Sequence, residues 1–305
     1  MDLYDSGACT FGGWRCSGLR PQGQMTLLTF MLVILSAMLH AGWNAITKRY
    51  SGNYSLIYLS FCAGMLVSVP LALPHLGAPT DWSFILPLLL LTGVLHAVYG
   101  FLLSFTYHNG DISTLYPIVR GSGIAGSVLL GLVLLHEHLP WQAYGGVATV
   151  IGGIALLSYK RDRKATALKG IVLALVSGGF IMSYTILDKI IVDRIHPMVL
   201  MASMQVVSFV MFLPYVLLKR RIELMLTVRT LKLPIFGIAL AALASYLIIL
   251  FAFQLAPISR IVAVREVSVV FGAMTGYLFF KENFNLIRLL GVVTVVLGIV
   301  LVKLF

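Results

Sequence analysis

Three ionisable residues stand inside apolar stretches long enough to cross a bilayer. Arg120 lies in DISTLYPIVRGSGIAGSVLLGLVLLHEH (residues 111–138), and the neighbours Arg265 and Glu266 lie in PISRIVAVREVSVVFGAMTGYLFFKEN (residues 257–283). A charge at that depth costs roughly a few kcal/mol or more unless it faces a partner or a polar cavity, which makes each a candidate functional group. A guanidinium offers a planar fork of donors suited to carboxylate or phosphate. Tyr116 precedes Arg120 by one helical turn on the same face, and Gly121 and Gly123 leave room beside it. The competing reading of Arg120 is a structural pair with Glu266. Side chains on adjacent helical residues diverge by about 100°, so Arg265 and Glu266 cannot share a direction. One faces the cavity and the other a neighbouring helix. Glu266 is also a candidate carrier of a coupling proton; burial favours its protonated form and a nearby Arg the ionised one.

Two further groups could line a cavity. His40, Trp43, Asn44 and Lys48 fall at i, i+3, i+4 and i+8 and share one helical face, and His96 and Tyr99 lie deep in another apolar stretch. Aromatic and hydrogen-bonding walls are what a polar solute needs; the plainer reading is hydrogen-bonded packing. Two histidines with no third ligand at a recognisable spacing do not make a metal site. His136-Glu137-His138 beside Pro140 reads as an interfacial turn, and Lys48 and Lys189 as residues that snorkel to headgroups. Cys9, Cys16 and Cys62 lack metal-ligand spacing, and their odd number argues against a disulfide framework. No nucleophile elbow, phosphate loop or paired catalytic carboxylate is present, so the sequence offers neither an enzyme nor a cofactor site.

The elements that must position these residues are membrane helices. With 59% apolar residues, 11% charged and a mean hydropathy of +0.97, the chain is far from a soluble domain, where about 25% of residues are charged. The 305 residues divide into about ten spans of about 20 residues with short connections. The net charge of +11 resides in those connections, which points to topology and anionic lipid rather than to nucleic acid.

Residues 1–24 are polar and Gly-rich, lack a signal-peptide core and read as a disordered tail, with Met25 an alternative start. The expected helices run over about 26–47, 54–73, 84–107, 113–136, 140–159, 168–187, 197–218, 233–253, 258–280 and 286–304. Asn109-Gly110-Asp111 reads as a turn, and Lys160 to Lys164 divide the chain into halves, 25–159 and 168–305. The halves resemble each other. At an offset of about 146 residues Ile112 meets Ile258, Ser113 meets Ser259, Gly126 meets Gly272, Gly145 meets Gly291 and Gly152 meets Gly298, with Arg120 opposite Glu266. At a slightly shorter offset Ser36 meets Ser177 and Lys48 meets Lys189. The common offset marks an internal duplication.

Fourteen Lys and Arg residues lie after odd-numbered helices against six on the opposite side, so the positive-inside rule puts the odd connections in the cytoplasm and both termini outside. Two five-helix halves then enter from opposite sides. That is an inverted-topology repeat, an architecture of secondary transporters.

The Trp43-Asn44 pair late in helix 1, the small-residue-rich helix 4 closed at Glu137, and the matching Lys281-Glu282-Asn283 closure of helix 9 resemble the EamA family of the drug/metabolite transporter superfamily. The resemblance covers residues 26–304; HAGWNAITKR, YPIVRG and VREVSVVFG look like one subgroup within it. It implies an all-α, ten-helix membrane protein of two inverted repeats. It also implies alternating access around a cavity lined by helices 1, 3, 4, 6, 8 and 9, export or exchange of small metabolites, and residence in the cell membrane, here a bacterial inner membrane. Members commonly keep both termini in the cytoplasm, the reverse of the charge count. The intramembrane arginines favour an anionic or zwitterionic substrate. A flippase for a lipid-linked substrate and a non-transporting membrane scaffold are the competing readings.

Overall fold

A chain surrounded by hydrocarbon must satisfy its own backbone N–H and C=O groups, and runs of apolar residues do so here as α-helices. The computed structural model describes residues 10–11, 14–15, 25–50, 53–77, 80–108, 112–137, 139–157, 168–280 and 285–305. Its helices are α1 (Leu27–Arg49), α2 (Tyr54–Ala72), α3 (Trp82–His108), α4 (Ile112–Leu134), α5 (Trp141–Leu157), α6 (Leu168–Val192), α7 (Pro197–Lys219), α8 (Arg221–Thr230), α9 (Lys232–Phe253), α10 (Ile258–Arg265), α11 (Val267–Phe280) and α12 (Leu286–Leu304). Among the described residues, eight helical segments are long and apolar enough to cross a membrane, and α4 adds a shorter apolar stretch, Ile118–Leu134. Within residues 1–24, Thr10–Phe11 and Trp14–Arg15 pair as a short antiparallel hairpin; the rest of that tail, the turn at 109–111 and the linker at 160–164 lie outside the described residues.

Three elements differ from the sequence expectation. The sixth helix does not stop at Leu187 but continues to Val192, because Ile191 and Val192 extend its buried face past Asp188. The connection after α7 is itself a helix, α8. The ninth helix is not continuous: Glu266 (φ −69°, ψ −5°) is a tight turn between α10 and α11, and its N–H bonds back to Ala263 at 3.3 Å.

Small residues set the closest helix contacts. A Cβ on Gly153 of α5 would lie 2.6 Å from the Val295 nitrogen and 3.0 Å from the Gly291 oxygen of α12, and one on Gly298 would lie 2.7 Å from the Val150 nitrogen. Backbone therefore packs on backbone across α5 and α12, as small-residue interfaces in membranes allow. Gly145 and Gly152, on the other face of α5, meet nothing. Elsewhere α1 packs on α9, α6 on α3, α6 on α4, α1 on α11 and α2 on α7. Ser36 and Ser245 stitch α1 to α9 by reciprocal hydroxyl-to-carbonyl bonds of 2.7 and 2.9 Å, and Thr106 and Ser177 join α3 to α6 at 3.2 Å. Leu, Val, Met and Phe side chains dominate the outward surface, as a lipid-facing surface requires.

Candidate functional site

Two of the three charges inside the apolar stretches meet each other. Arg120 of α4 donates from Nε to Glu266 Oε2 at 3.1 Å and from its terminal nitrogen to Oε1, a two-pronged pair with both residues buried. The fork that the sequence offered to a substrate is thus held by Glu266, which lies 146 residues further along the chain. Such pairing offsets the desolvation of both ions through Coulomb attraction and charge-assisted hydrogen bonds.

Arg265, one residue earlier, points elsewhere. Its guanidinium stands 5.3 Å over the ring of Tyr246 on α9, and its Nε is buried with no hydrogen-bond partner among the described residues. The cation is within electrostatic reach of His40, His96, Tyr99, Tyr184, Asp188 and Tyr246, so α1, α3, α6, α9 and α10 converge on it.

His96 of α3 is at the centre of this group. Its ring stacks on Tyr184 with centroids 3.8 Å apart, its Nε2 lies 3.2 Å from the Tyr246 hydroxyl, and its Nδ1 lies 2.9 Å from the Thr92 carbonyl oxygen. Tyr99 completes the aromatic wall against Tyr184, edge to face at 5.7 Å. His40 meets Trp43 edge to face at 5.1 Å, Trp43 packs beside Leu56, Ile235 and Ile238, and Asn44 donates back to the His40 carbonyl at 2.7 Å. The side chain of Tyr116 lies outside the described residues.

Sequence reasoning missed Asp188, Thr92, Tyr184 and Tyr246. Asp188 is fully buried on α6 and accepts from the Thr92 hydroxyl at 2.5 Å through Oδ1 and from the Tyr246 hydroxyl through Oδ2. Ending the sixth helix at Leu187 had put Asp188 in a connection. The signal that could have found it is the run Ile190-Ile191-Val192 beyond it, which carries the apolar face a further turn before Pro197.

Two other expectations change. Glu137, read as part of an interfacial turn, is buried. His136 takes the left-handed conformation (φ 51°) that closes α4, and this turns the buried Glu137 carboxylate onto the start of α10. There Oε1 accepts from the Ile258 N–H at 2.6 Å, and Oε2 accepts from the Ser259 N–H at 3.1 Å and from its hydroxyl. A carboxylate at a helix N-terminus satisfies orphan donors and complements the dipole. Lys189, read as snorkelling, instead donates to the Phe253 carbonyl at 2.6 Å and to Asp193 at 2.8 Å, while the Lys48 side chain lies outside the described residues. At one end of the bundle a cavity of about 310 Å³ opens among His75, Trp82, Asp193, Arg194, His196 and Gln254. Among the described residues no group of three potential ligands could hold a metal ion.

No curated protein shows a significant sequence match to the chain. A solved structure titled "Crystal structure of protein" superposes with a TM-score of 0.69 at 14% identity, covering 91% of this chain and 97% of that one, a likeness of fold alone. The EamA-like transporter family matches residues 168–304, which include Asp188, Tyr246, Arg265 and Glu266. The second half of the chain is thus similar to a family of transporters, and its long apolar helices make the chain a multi-pass membrane protein.

Proposed function

We propose that the protein is a secondary transporter that moves a small anionic or zwitterionic metabolite by alternating access, and that Arg265 is the cation that receives it. The observation that carries this reading is the pairing pattern of the two intramembrane arginines. Arg120 is neutralised by Glu266, whereas Arg265 keeps a buried nitrogen without a partner among the described residues and faces the aromatic group of His40, His96, Tyr99 and Tyr246. A half-buried guanidinium with an unused buried donor is a site for a carboxylate or phosphate. The turn at Glu266 supports it further, since broken helices at mid-membrane are where transporters bind their substrates.

The reading includes ten spans in two inverted five-helix halves, in the cell membrane of a bacterium. Helix packing supports it: exchanging α1 with α6, α2 with α7, α3 with α9, α4 with α10 and α11, and α5 with α12 carries α1·α9 into α6·α3 and α4·α6 into α11·α1. The Arg120–Glu266 pair then joins the two halves across their symmetry axis and closes one face of the site.

Thermal unfolding of purified protein against a panel of carboxylates, phosphates and matched neutral and cationic compounds tests the reading. Anions alone should raise the melting temperature, and Arg265→Gln should abolish the rise while leaving the unliganded value near wild type. Stabilisation by cations only would overturn it.

A further inference from the structure

Asp188 poses a proton-counting problem that the transporter reading does not solve. Its carboxylate is 0% exposed, and its direct partners are two hydroxyls rather than a cation. The groups that face it are Thr92 and His96 on α3, Tyr246 on α9 and Arg265 on α10, with Tyr184 on its own helix. Adjacent Lys189 reaches away to Phe253 and Asp193, and Arg120 on α4 is spent on Glu266.

The tautomer of His96 follows from its partners. A carbonyl oxygen only accepts, so His96 Nδ1, 2.9 Å from the Thr92 oxygen, carries a hydrogen, and in the neutral ring Nε2 holds the lone pair. Nε2 faces the Tyr246 hydroxyl at 3.2 Å and Asp188 Oδ2 at 3.6 Å. That hydroxyl has one hydrogen. If Asp188 is ionised and His96 neutral, the hydrogen goes to Oδ2, and the Nε2 lone pair meets an oxygen lone pair with nothing between them. One added proton removes the conflict in two equivalent ways. Either Nε2 is protonated and donates to Tyr246, which donates to Asp188, or Asp188 is protonated and donates to Tyr246, which donates to His96.

We propose that His96, Tyr246 and Asp188 form a proton relay that ends on Asp188, and that the proton loads together with the anion held by Arg265. This rests on the transporter reading. In the transfer the Nε2–H bond of protonated His96 breaks as the hydrogen bonds to the Tyr246 oxygen. The original Tyr246 O–H bond breaks in concert, and its hydrogen forms the O–H bond of Asp188. The ring of His96 is the entry, because 18% of its side chain is exposed while Asp188 is sealed. Arg265 sets the sign of coupling. An anion on Arg265, over the Tyr246 ring, removes a positive field that favours the ionised carboxylate, so anion and proton promote each other's binding and travel in one direction.

The test is infrared spectroscopy of the protein in lipid nanodiscs, titrated from alkaline to acid pH without any transported compound. A protonated-carboxyl band should appear that Asp188→Asn removes, and Tyr246→Phe and His96→Gln, which keep the carboxyl, should each move its midpoint by about one pH unit or more. No band in the wild type, a band that survives Asp188→Asn, or a midpoint untouched by both relay variants overturns the proposal. If Asp188→Asn does not fold, the two relay variants decide alone. Anion binding is read separately by thermal unfolding, so loss of the relay and loss of the transporter reading are distinguishable.

Discussion

Arg120 and Glu266 show how much a single pairing decides at the residue scale. With its fork engaged by a carboxylate that is 1% exposed, Arg120 cannot be removed without leaving an uncompensated buried charge. Arg120→Ala should therefore cost about 3–5 kcal/mol, read as a lowered melting temperature and poor recovery of folded protein. The exchange Arg120→Glu with Glu266→Arg should restore folding, because a swapped pair still neutralises both buried charges; failure of the exchange would point to a directional role for Arg120. A second prediction concerns His196, which lies between the α6 and α7 spans. Burial, and then the charge of His75 stacked on it at 3.5 Å, push the His196 imidazole below its usual range, and its Nδ1 accepts from the Met198 N–H at the start of α7. The unfolded chain then binds the proton more readily than the fold does, so this contribution to stability is present above the ordinary histidine range and lost as pH falls through it. His196→Gln should flatten the acid limb of a stability profile. Arg120, Arg265 and Glu266 were legible in the sequence because charges stand out in apolar runs. Asp188 was not, because Lys189 and Asp193 beside it make it look like part of a solvated connection, and Tyr246 was not, because a lone tyrosine in an apolar helix carries no distinguishing pattern.

Helix boundaries were legible wherever apolar runs end in Pro, Asn or charge, as at Tyr54, Pro197 and Leu286. The turn at Glu266 was hidden because one residue of altered geometry leaves the apolar pattern on both sides in phase. Hidden too was the long-range capping of α10 by Glu137, a contact between residues 121 apart that no local spacing encodes. Glu137→Ala should leave the Ile258 and Ser259 N–H groups without acceptors, at about 1–3 kcal/mol by unfolding in detergent. Glycines were visible in the sequence, but not which of them face a neighbour. Gly153→Ala drives a methyl into the α12 backbone and should cost about 1–3 kcal/mol, while Gly152→Ala, one position round the helix, meets open space and should be neutral or slightly stabilising. Equal effects at the two positions would contradict the packing of α5 on α12.

At the scale of the whole molecule, a common offset between residues of the two parts of the sequence is the mark a duplication would leave, because a duplication preserves register, and the proposed pairing of halves relates the packing of α1 on α9 to that of α6 on α3. Orientation is a separate question, since a bundle of paired halves looks alike from either side of a bilayer. The clue lies in the connections. Lys219, Arg220, Arg221, Arg229 and Lys232 gather around α8, at the same end as Lys48 and Arg49, whereas Lys189, Arg194, Arg260 and Lys303 lie at the opposite end. Translocation of a strongly basic connection is disfavoured, so the α8 end should be cytoplasmic and Phe305 outside. Fusing a reporter that is active only in the cytoplasm after Phe305 should give silence, and inserting it between Lys160 and Lys164 should give activity. The reverse pattern would restore the orientation common in the family. It would put the His75–His196 cavity on the cytoplasmic side.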